Sequence, residues 1–208
     1  MLHPTRNVHS HTVAKKHTEK ELMKKYLILY YSKTNNSKFI AERLSKELNC
    51  EMEMIESMIH NLGLLFFISL LNIPIPINVS KEKIKQYEAI IIVGPIWGGL
   101  LIAPLKSVIK KCIGLNKPFH FALTCESKES DKDSKYGYNT VLVKAKALGG
   151  NLIKSTSAFS TSLISGYHEK EFNIHVKAKF NEDNFSEELN NRVNIFVSKI
   201  KNSDISNK

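Results

Sequence analysis

The chain contains 208 residues, of which 42% are hydrophobic, and this length and composition predict a single globular domain with a sizeable core. Its formal net charge is +10, but only Arg6, Arg43 and Arg192 are arginines and the lysines are spread along the chain, so we expect no nucleic-acid partner. Three widely separated cysteines form no CxxC pair, which argues against an iron–sulfur or structural zinc site and favours a reducing, cytoplasmic compartment.

The first 22 residues carry four histidines among lysine, threonine and glutamate, with no apolar periodicity. We expect residues 1–22 to form a disordered tail, and metal binding by His3, His9, His11 and His17 is the alternative. The segment lacks the apolar region that secretory signals contain. The predicted folded domain is residues 23–202, and residues 203–208 form a C-terminal tail.

A buried strand, a polar loop and a helix follow one another at the start of this domain. Residues 26–31 are apolar or aromatic with high strand propensity, and residues 32–37 are small or polar. Apolar side chains then recur at helical spacing from Phe39 to Leu48, with Asn36 or Ser37 suited to cap the helix. A helix that begins in such a loop presents hydroxyls, free backbone N–H groups and a positive dipole end, so we predict an anion site, most plausibly for phosphate.

The next segments contain a short strand and an unusual apolar stretch. Residues 51–55 alternate as in a strand, and residues 62–71 read LGLLFFISLL before Pro74 and Pro76. Ten residues cannot span a bilayer, which needs about twenty. We expect residues 62–71 to pack on the sheet as a buried helix or loop, and a peripheral membrane contact or a partner surface is the alternative.

The central strand should be residues 89–93, because AIIIV is typical of a parallel strand covered on both faces. A short polar helix is predicted at residues 81–87, before this strand, and another helix at residues 103–112. Between strand and second helix, glycines and a proline force a loop over residues 94–99, with Trp97 at its centre. A lone tryptophan is usually a core residue, but ligands of open α/β sheets bind beyond the strand ends, so we favour ring stacking by Trp97.

A third strand and loop complete the pattern. Residues 119–125 form a strand in which His120 and Cys125 are expected to be structural, and a polar loop follows at residues 126–135. A helix at residues 138–148 ends at two glycines, a strand is predicted at residues 151–158, and the last helix spans residues 186–200. Residues 159–184 show no assignable pattern.

Alternating strands and helices predict an α/β fold with a doubly wound, five-stranded parallel sheet in the order 2-1-3-4-5 and helices on both faces. The switch point of this strand order lies between the first and third strands. The polar loop at residues 32–37 and the loop at residues 94–99 would therefore meet at one crevice. A phosphate site beside a flat-ring site indicates a mononucleotide.

Two motifs resemble the flavodoxin family. YYSKTNNSKFIAERL resembles the flavodoxin phosphate loop, commonly [ST]-x-T-G-N-[ST], and VGPIWGG resembles the second flavin loop, often G-x-P-[IV]-[WY]. The resemblance covers most of residues 26–157 and implies a flavodoxin-like fold that binds FMN. It implies that residues of three loops hold this cofactor: Ser32, Lys33, Thr34, Asn35, Asn36, Ser37, Pro95, Ile96, Trp97, Gly98, Gly99, Thr124, Cys125, Glu126 and Ser127.

By the same resemblance, the phosphate is bound by the first loop and the isoalloxazine ring is lined by the second, with Trp97 stacked on it. The third loop lies near the ring or the ribityl chain. Asn35 stands where the family usually has glycine, and asparagine tolerates a left-handed backbone better than most residues. Shuttle flavodoxins are typically acidic whereas this chain is basic, which implies different partners.

The resemblance implies an FMN-binding protein that transfers electrons, either as a carrier between redox partner proteins or as a small FMN-dependent oxidoreductase. No catalytic acid or base is required for this function, and no metal site is expected. Two alternatives stay open. One is a quinone-type reductase at a membrane surface, where residues 62–71 meet a small quinone-like acceptor, and the other is a flavodoxin-fold binding module without flavin.

Overall fold

A computed structural model describes residues 25–167 and 178–205, so the predicted tail at residues 1–22 lies outside the described residues. The described parts contain six β-strands: β1 (Tyr26–Tyr30), β2 (Glu51–Met54), β3 (Ala89–Trp97), β4 (Leu100–Leu101), β5 (Phe119–Cys125) and β6 (Ile153–Ser160). They also contain six α-helices: α1 (Asn36–Leu48), α2 (Leu62–Leu70), α3 (Lys81–Lys85), α4 (Ala103–Gly114), α5 (Tyr138–Gly149) and α6 (Glu187–Ile205). Short 3-10 turns lie at Glu129–Asp131, Gly150–Leu152 and Thr161–Leu163.

Five strands form one parallel sheet in the spatial order β2-β1-β3-β5-β6. Because the two-residue strand β4 is off this path, the order equals the predicted 2-1-3-4-5, and the doubly wound fold class is confirmed. β4 was not predicted. It pairs antiparallel with the end of β3, Ile96 opposite Leu101 and Trp97 opposite Leu100.

The sheet separates two layers of helices. Alternate side chains of β1 point to opposite faces, so Leu27 and Leu29 pack with α2, α3, α4 and α5, while Ile28 packs with α1 and α6. Strand β1 is buried along its whole length, as are the first six residues of β3. Burial on both faces is what a strand composed only of apolar residues predicts.

Several predicted boundaries need correction. The predicted loop at residues 94–99 is extended through Trp97, because Gly94 and Pro95 continue the pairing of β3 with β5 instead of breaking the strand. The predicted cap, Asn36 or Ser37, is already the first turn of α1, and the N-cap is Asn35. The last helix continues beyond residue 200 to Ile205.

The apolar stretch at residues 62–71 forms α2, but the expectation that it is buried was wrong. Only Leu65 and Ser69 of the helix are buried. Among the described residues, no helix combines the length and the apolar composition that crossing a membrane requires.

Candidate functional site

The carboxyl end of β1 leads into a loop whose backbone is set by Asn35. This residue has φ 68° and ψ −5°, a left-handed conformation that asparagine adopts with less strain than most other residues. The Asn35 side chain makes no capping hydrogen bond, so it leaves the N–H groups in the first turn of α1 unoccupied by a side-chain cap. The helix dipole adds positive potential at this point, and the exposed Lys33 lies in the same loop.

Two hydroxyls at this strand end are buried without a partner among the described residues. The Oγ atom of Ser32 and the hydroxyl of Tyr31 are both inaccessible to solvent, and neither forms a hydrogen bond. Burial raises the pKa of the Tyr31 phenol above its ordinary value, so Tyr31 stays protonated at neutral pH. A buried hydroxyl without a partner costs about 1–3 kcal/mol, and a ligand that accepts a hydrogen bond from it would recover this cost.

The predicted phosphate residues Asn36 and Ser37 use their side chains within the protein. Asn36 donates from Nδ2 to the carbonyl of Ala178 (3.1 Å) and accepts from the Phe180 N–H at Oδ1 (2.9 Å). Ser37 shares a 2.8 Å hydrogen bond with the hydroxyl of Thr124. The side chains therefore fix the loop, and their backbone N–H groups stay at the helix terminus.

The bond between Ser37 and Thr124 joins the first and third predicted loops. Thr124 is also the register partner of Pro95 on the neighbouring strand, so the second loop adjoins the same point. The strand ends thus bring together the three groups of residues that the sequence predicted, 32–37, 95–99 and 124–127. Sequence reasoning missed Tyr31, whose aromatic ring looked like one more buried strand residue.

Trp97 is half-buried at the end of β3, and its ring lies beside that of Tyr31. The two ring centroids are 6.2 Å apart at an interplanar angle of 65°, an edge-to-face contact. Gly98 and Gly99 follow with φ values of 55° and 72°. A Cβ atom on Gly99 would lie 2.8 Å from the Cα of Tyr136, so only glycine allows the β3–β4 turn to lie this close to the segment after β5.

Residues 124–127, which follow β5, are less exposed to solvent than their polar sequence suggests. Thr124 and Cys125 are buried, and burial raises the pKa of the Cys125 thiol to about 11, which keeps it protonated at neutral pH. Ser127 accepts a 2.5 Å hydrogen bond at its carbonyl from Ser160, whereas Glu126 is exposed. His120 lies deeper in the same strand, where its Nδ1 atom bonds the Ser155 hydroxyl (2.7 Å).

The sequence matches no protein-family model and no curated protein. Solved structures do resemble it. A flavoprotein from Lactobacillus acidophilus NCFM, crystallised in complex with FMN, aligns over 65% of this chain and 93% of its own, with 16% identity and a TM-score of 0.54. The chain has a flavodoxin-like fold. Flavodoxin 1 from Bacillus cereus aligns over 85% of this chain and 97% of its own, with 12% identity and a TM-score of 0.46.

In a flavodoxin-like fold, ligands bind beyond the carboxyl ends of the strands, where the strand order reverses. Here that position lies between β1 and β3. The unpartnered Ser32 hydroxyl lies just after β1, and the Trp97 ring belongs to the last residue of β3. The fold therefore places the polar loop and the aromatic ring at the same edge of the sheet, where Tyr31 lies beside Trp97. The resemblance found in the sequence is confirmed at the level of the fold.

Proposed function

We propose that this chain binds FMN at the carboxyl edge of the sheet and transfers electrons through it. The observation that carries the proposal is the unpartnered, buried Ser32 hydroxyl in the loop between β1 and α1. It fits a phosphate, which accepts hydrogen bonds only and is favoured at a helix N-terminus. The solved neighbour from Lactobacillus acidophilus NCFM, of the same fold, was crystallised with FMN.

Each part of the site has a role in this proposal. Ser32 donates to the phosphate, and the left-handed Asn35 directs backbone N–H groups toward it. Lys33 contributes positive charge from the same loop. Trp97 provides an aromatic surface for the isoalloxazine, held at its edge by Tyr31. Bound FMN would supply the redox chemistry, and the protein would position it and shield it from water.

The experiment is an absorption spectrum of the purified full chain, followed by titration with FMN. We expect a yellow protein, or a colourless one that takes up FMN and quenches its fluorescence. A protein that neither contains nor takes up FMN contradicts the proposal and favours a flavodoxin-fold binding module without flavin. Reduction with NADH or NADPH in a stopped-flow experiment then separates an oxidoreductase from a carrier that needs a protein donor.

A quinone-like acceptor is the second candidate partner, and the position of α2 favours it. A Cβ atom added to Gly98 would lie 3.7 Å from the Phe66 ring, so exposed apolar side chains lie beside the proposed ring site. Reduced protein mixed anaerobically with a soluble quinone analogue should be reoxidised as quinol forms, with two electrons and two protons transferred. Persistence of the reduced spectrum would exclude the quinone and leave redox proteins as partners.

A cytoplasmic location is part of the proposal. Cys50, Cys112 and Cys125 are the only cysteines of the chain, and all three are free thiols. A protein without disulfides suits a reducing compartment. Cell fractionation with an antibody to the full chain tests the location.

A further inference from the structure

Helix α2 and the residues after it expose an apolar surface. We call this surface the α2 face, and it consists of seven side chains that are each between 42% and 58% exposed: Leu62, Leu64, Phe66, Phe67, Leu70, Leu71 and Ile73. No lysine, arginine, aspartate or glutamate occurs between residues 57 and 80. Soluble monomers rarely expose contiguous apolar patches of this kind, and such patches mark contact sites for proteins or membranes.

Hydrogen bonds to the start of α4 and the packing of Leu65 and Ile68 on the core hold α2 on the protein. Ser69 accepts the Ala103 N–H at its Oγ atom (2.8 Å), and the Lys106 ammonium donates to the Ser69 carbonyl (2.7 Å). At the other end, the Asn61 side chain caps the helix by accepting from the Leu64 N–H (2.9 Å). Leu65 is the only apolar side chain of the helix that is buried. Apart from the half-buried Ile68, the other leucine and phenylalanine side chains of the helix are exposed.

The charged groups near the end of α2 are basic. Lys106 bonds the Ser69 carbonyl at the end of α2, and Lys110 lies one turn further along α4. Burial lowers the pKa of Lys106 to about 8, with smaller contributions from the positive charges of Lys110 and Lys144. Lys110 and Lys144 are exposed. The Lys144 ammonium lies 3.4 Å from the carbonyl of Gly99. Because Gly98, the preceding residue, adjoins Phe66, the basic group borders the α2 face.

An aromatic residue lies at the same border. Tyr136 is 61% exposed and lies against Gly99, and the Lys135 ammonium is 5.4 Å from its ring centroid. Tyrosine is enriched where one end of a side chain meets an apolar medium and the other meets water. The border of the α2 face thus combines lysines with an amphipathic aromatic ring.

We propose that the α2 face binds the surface of an anionic lipid bilayer. The nine-residue helix is about 14 Å long, too short to cross the hydrocarbon core, so it would lie in the plane of the interface. The leucine and phenylalanine side chains would enter the acyl boundary while Lys110, Lys135 and Lys144 meet anionic headgroups. Charge complementarity favours this partner, because Lys110, Lys135 and Lys144 outnumber the exposed Asp131 and Asp133 of the loop before Tyr136, and the face itself carries no charge of either sign.

The test is flotation of the full chain with phospholipid vesicles, which requires no flavin and so is independent of the proposed cofactor. We expect the chain to float with vesicles of phosphatidylcholine and phosphatidylglycerol in equal parts, and to float less with phosphatidylcholine alone. Added salt should weaken the binding because it screens the lysines. A chain that stays with the soluble fraction in every case overturns the proposal.

Variants separate the apolar and charged contributions. The double change Phe67→Gln and Leu70→Gln replaces exposed side chains only, and should weaken partitioning by about tenfold or more. Ile195→Gln is the matched control, since Ile195 is 46% exposed on α6, on the opposite face of the sheet. It should float like the unmodified chain. Lys110→Gln combined with Lys135→Gln should weaken binding to anionic vesicles only.

The same variants identify a different occupant. If the unmodified chain forms dimers in gel filtration, does not float, and becomes monomeric on changing Phe67 and Leu70, the α2 face binds a second copy and the bilayer proposal is wrong. Equal flotation of the double variant and the unmodified chain is also contrary to it. Circular dichroism of each variant confirms that the fold is retained.

Discussion

Ser32→Ala is expected to change FMN binding and protein stability in opposite directions. The Ser32 hydroxyl is buried and has no partner among the described residues, so its removal relieves a desolvation cost in the flavin-free protein. We expect the free energy of unfolding to stay constant or to rise by about 1 kcal/mol. A hydrogen bond to a charged group contributes about 1.5–3 kcal/mol, so FMN affinity should fall roughly 10- to 100-fold.

Urea unfolding of the flavin-free protein and a fluorescence titration with FMN measure the two effects. Ser107→Ala is the matched control, because the Ser107 hydroxyl is buried and fully paired, accepting from the Ile75 N–H and donating to the Ile75 carbonyl, both at 2.8 Å. Its loss should cost about 1–3 kcal/mol of stability and leave FMN affinity unchanged. If Ser32→Ala lost stability like the control and kept its affinity, the assignment of Ser32 to the phosphate would be wrong.

Three further predictions concern the site and its surroundings. Asn35 has a φ of 68°, so Asn35→Gly should raise the free energy of unfolding by about 0.5–1 kcal/mol and Asn35→Val should lower it by about 1–2 kcal/mol. Urea unfolding measures both changes, and equal free energies for the two variants would contradict the strain at this position. Trp97→Ala should weaken FMN binding and leave more flavin fluorescence in the mixture, whereas unchanged affinity would refute ring stacking. Lys106 has a pKa of about 8 in the folded protein against 10.5 unfolded, so the unfolded chain holds more protons between these pH values. The stability of the unmodified chain relative to Lys106→Met should therefore rise from pH 8 to 10.5, and a constant difference in urea midpoints would contradict the shift.

The parallel sheet could be predicted because each central strand is an apolar run flanked by polar turns. The end of β3 could not be predicted, since glycine and proline at positions 94 and 95 are typical of a loop. In the structure, a Cβ atom on Gly94 would lie 2.5 Å from the Leu105 side chain, so this glycine serves close packing of a helix on a strand. A glycine required for packing and one required for a turn look alike in a sequence.

The meeting of the three loops at one edge of the sheet could be predicted, because parallel strands bring their carboxyl ends to one edge. That residues 32–37, 95–99 and 124–127 bind a cofactor stays a prediction. The hydrogen-bond partners of individual side chains could not be predicted from the sequence. Asn36 binds Ala178 and Phe180, which lie 142 and 144 residues further along the chain, and no local pattern reports such a pair. The exposure of α2 was missed for a related reason. A helix that is apolar all round is usually buried, but here α2 is attached at the surface by its bonds from Ser69 to Ala103 and Lys106 and by the buried Leu65.

The attachment of α2 carries two costs that a helix kept only for stability would avoid. Lys106 is 6% exposed, and burial of its ammonium disfavours the charged form, which the lowered pKa reflects. The helix and the residues after it also leave seven large apolar side chains about half exposed to water. Since both features oppose folding, the position of α2 is better explained by contact with a partner. Phe66 lies against Gly98, the residue after Trp97, so a bilayer bound at the α2 face would lie beside the proposed ring site. An acceptor dissolved in the lipid could then reach the flavin without entering water.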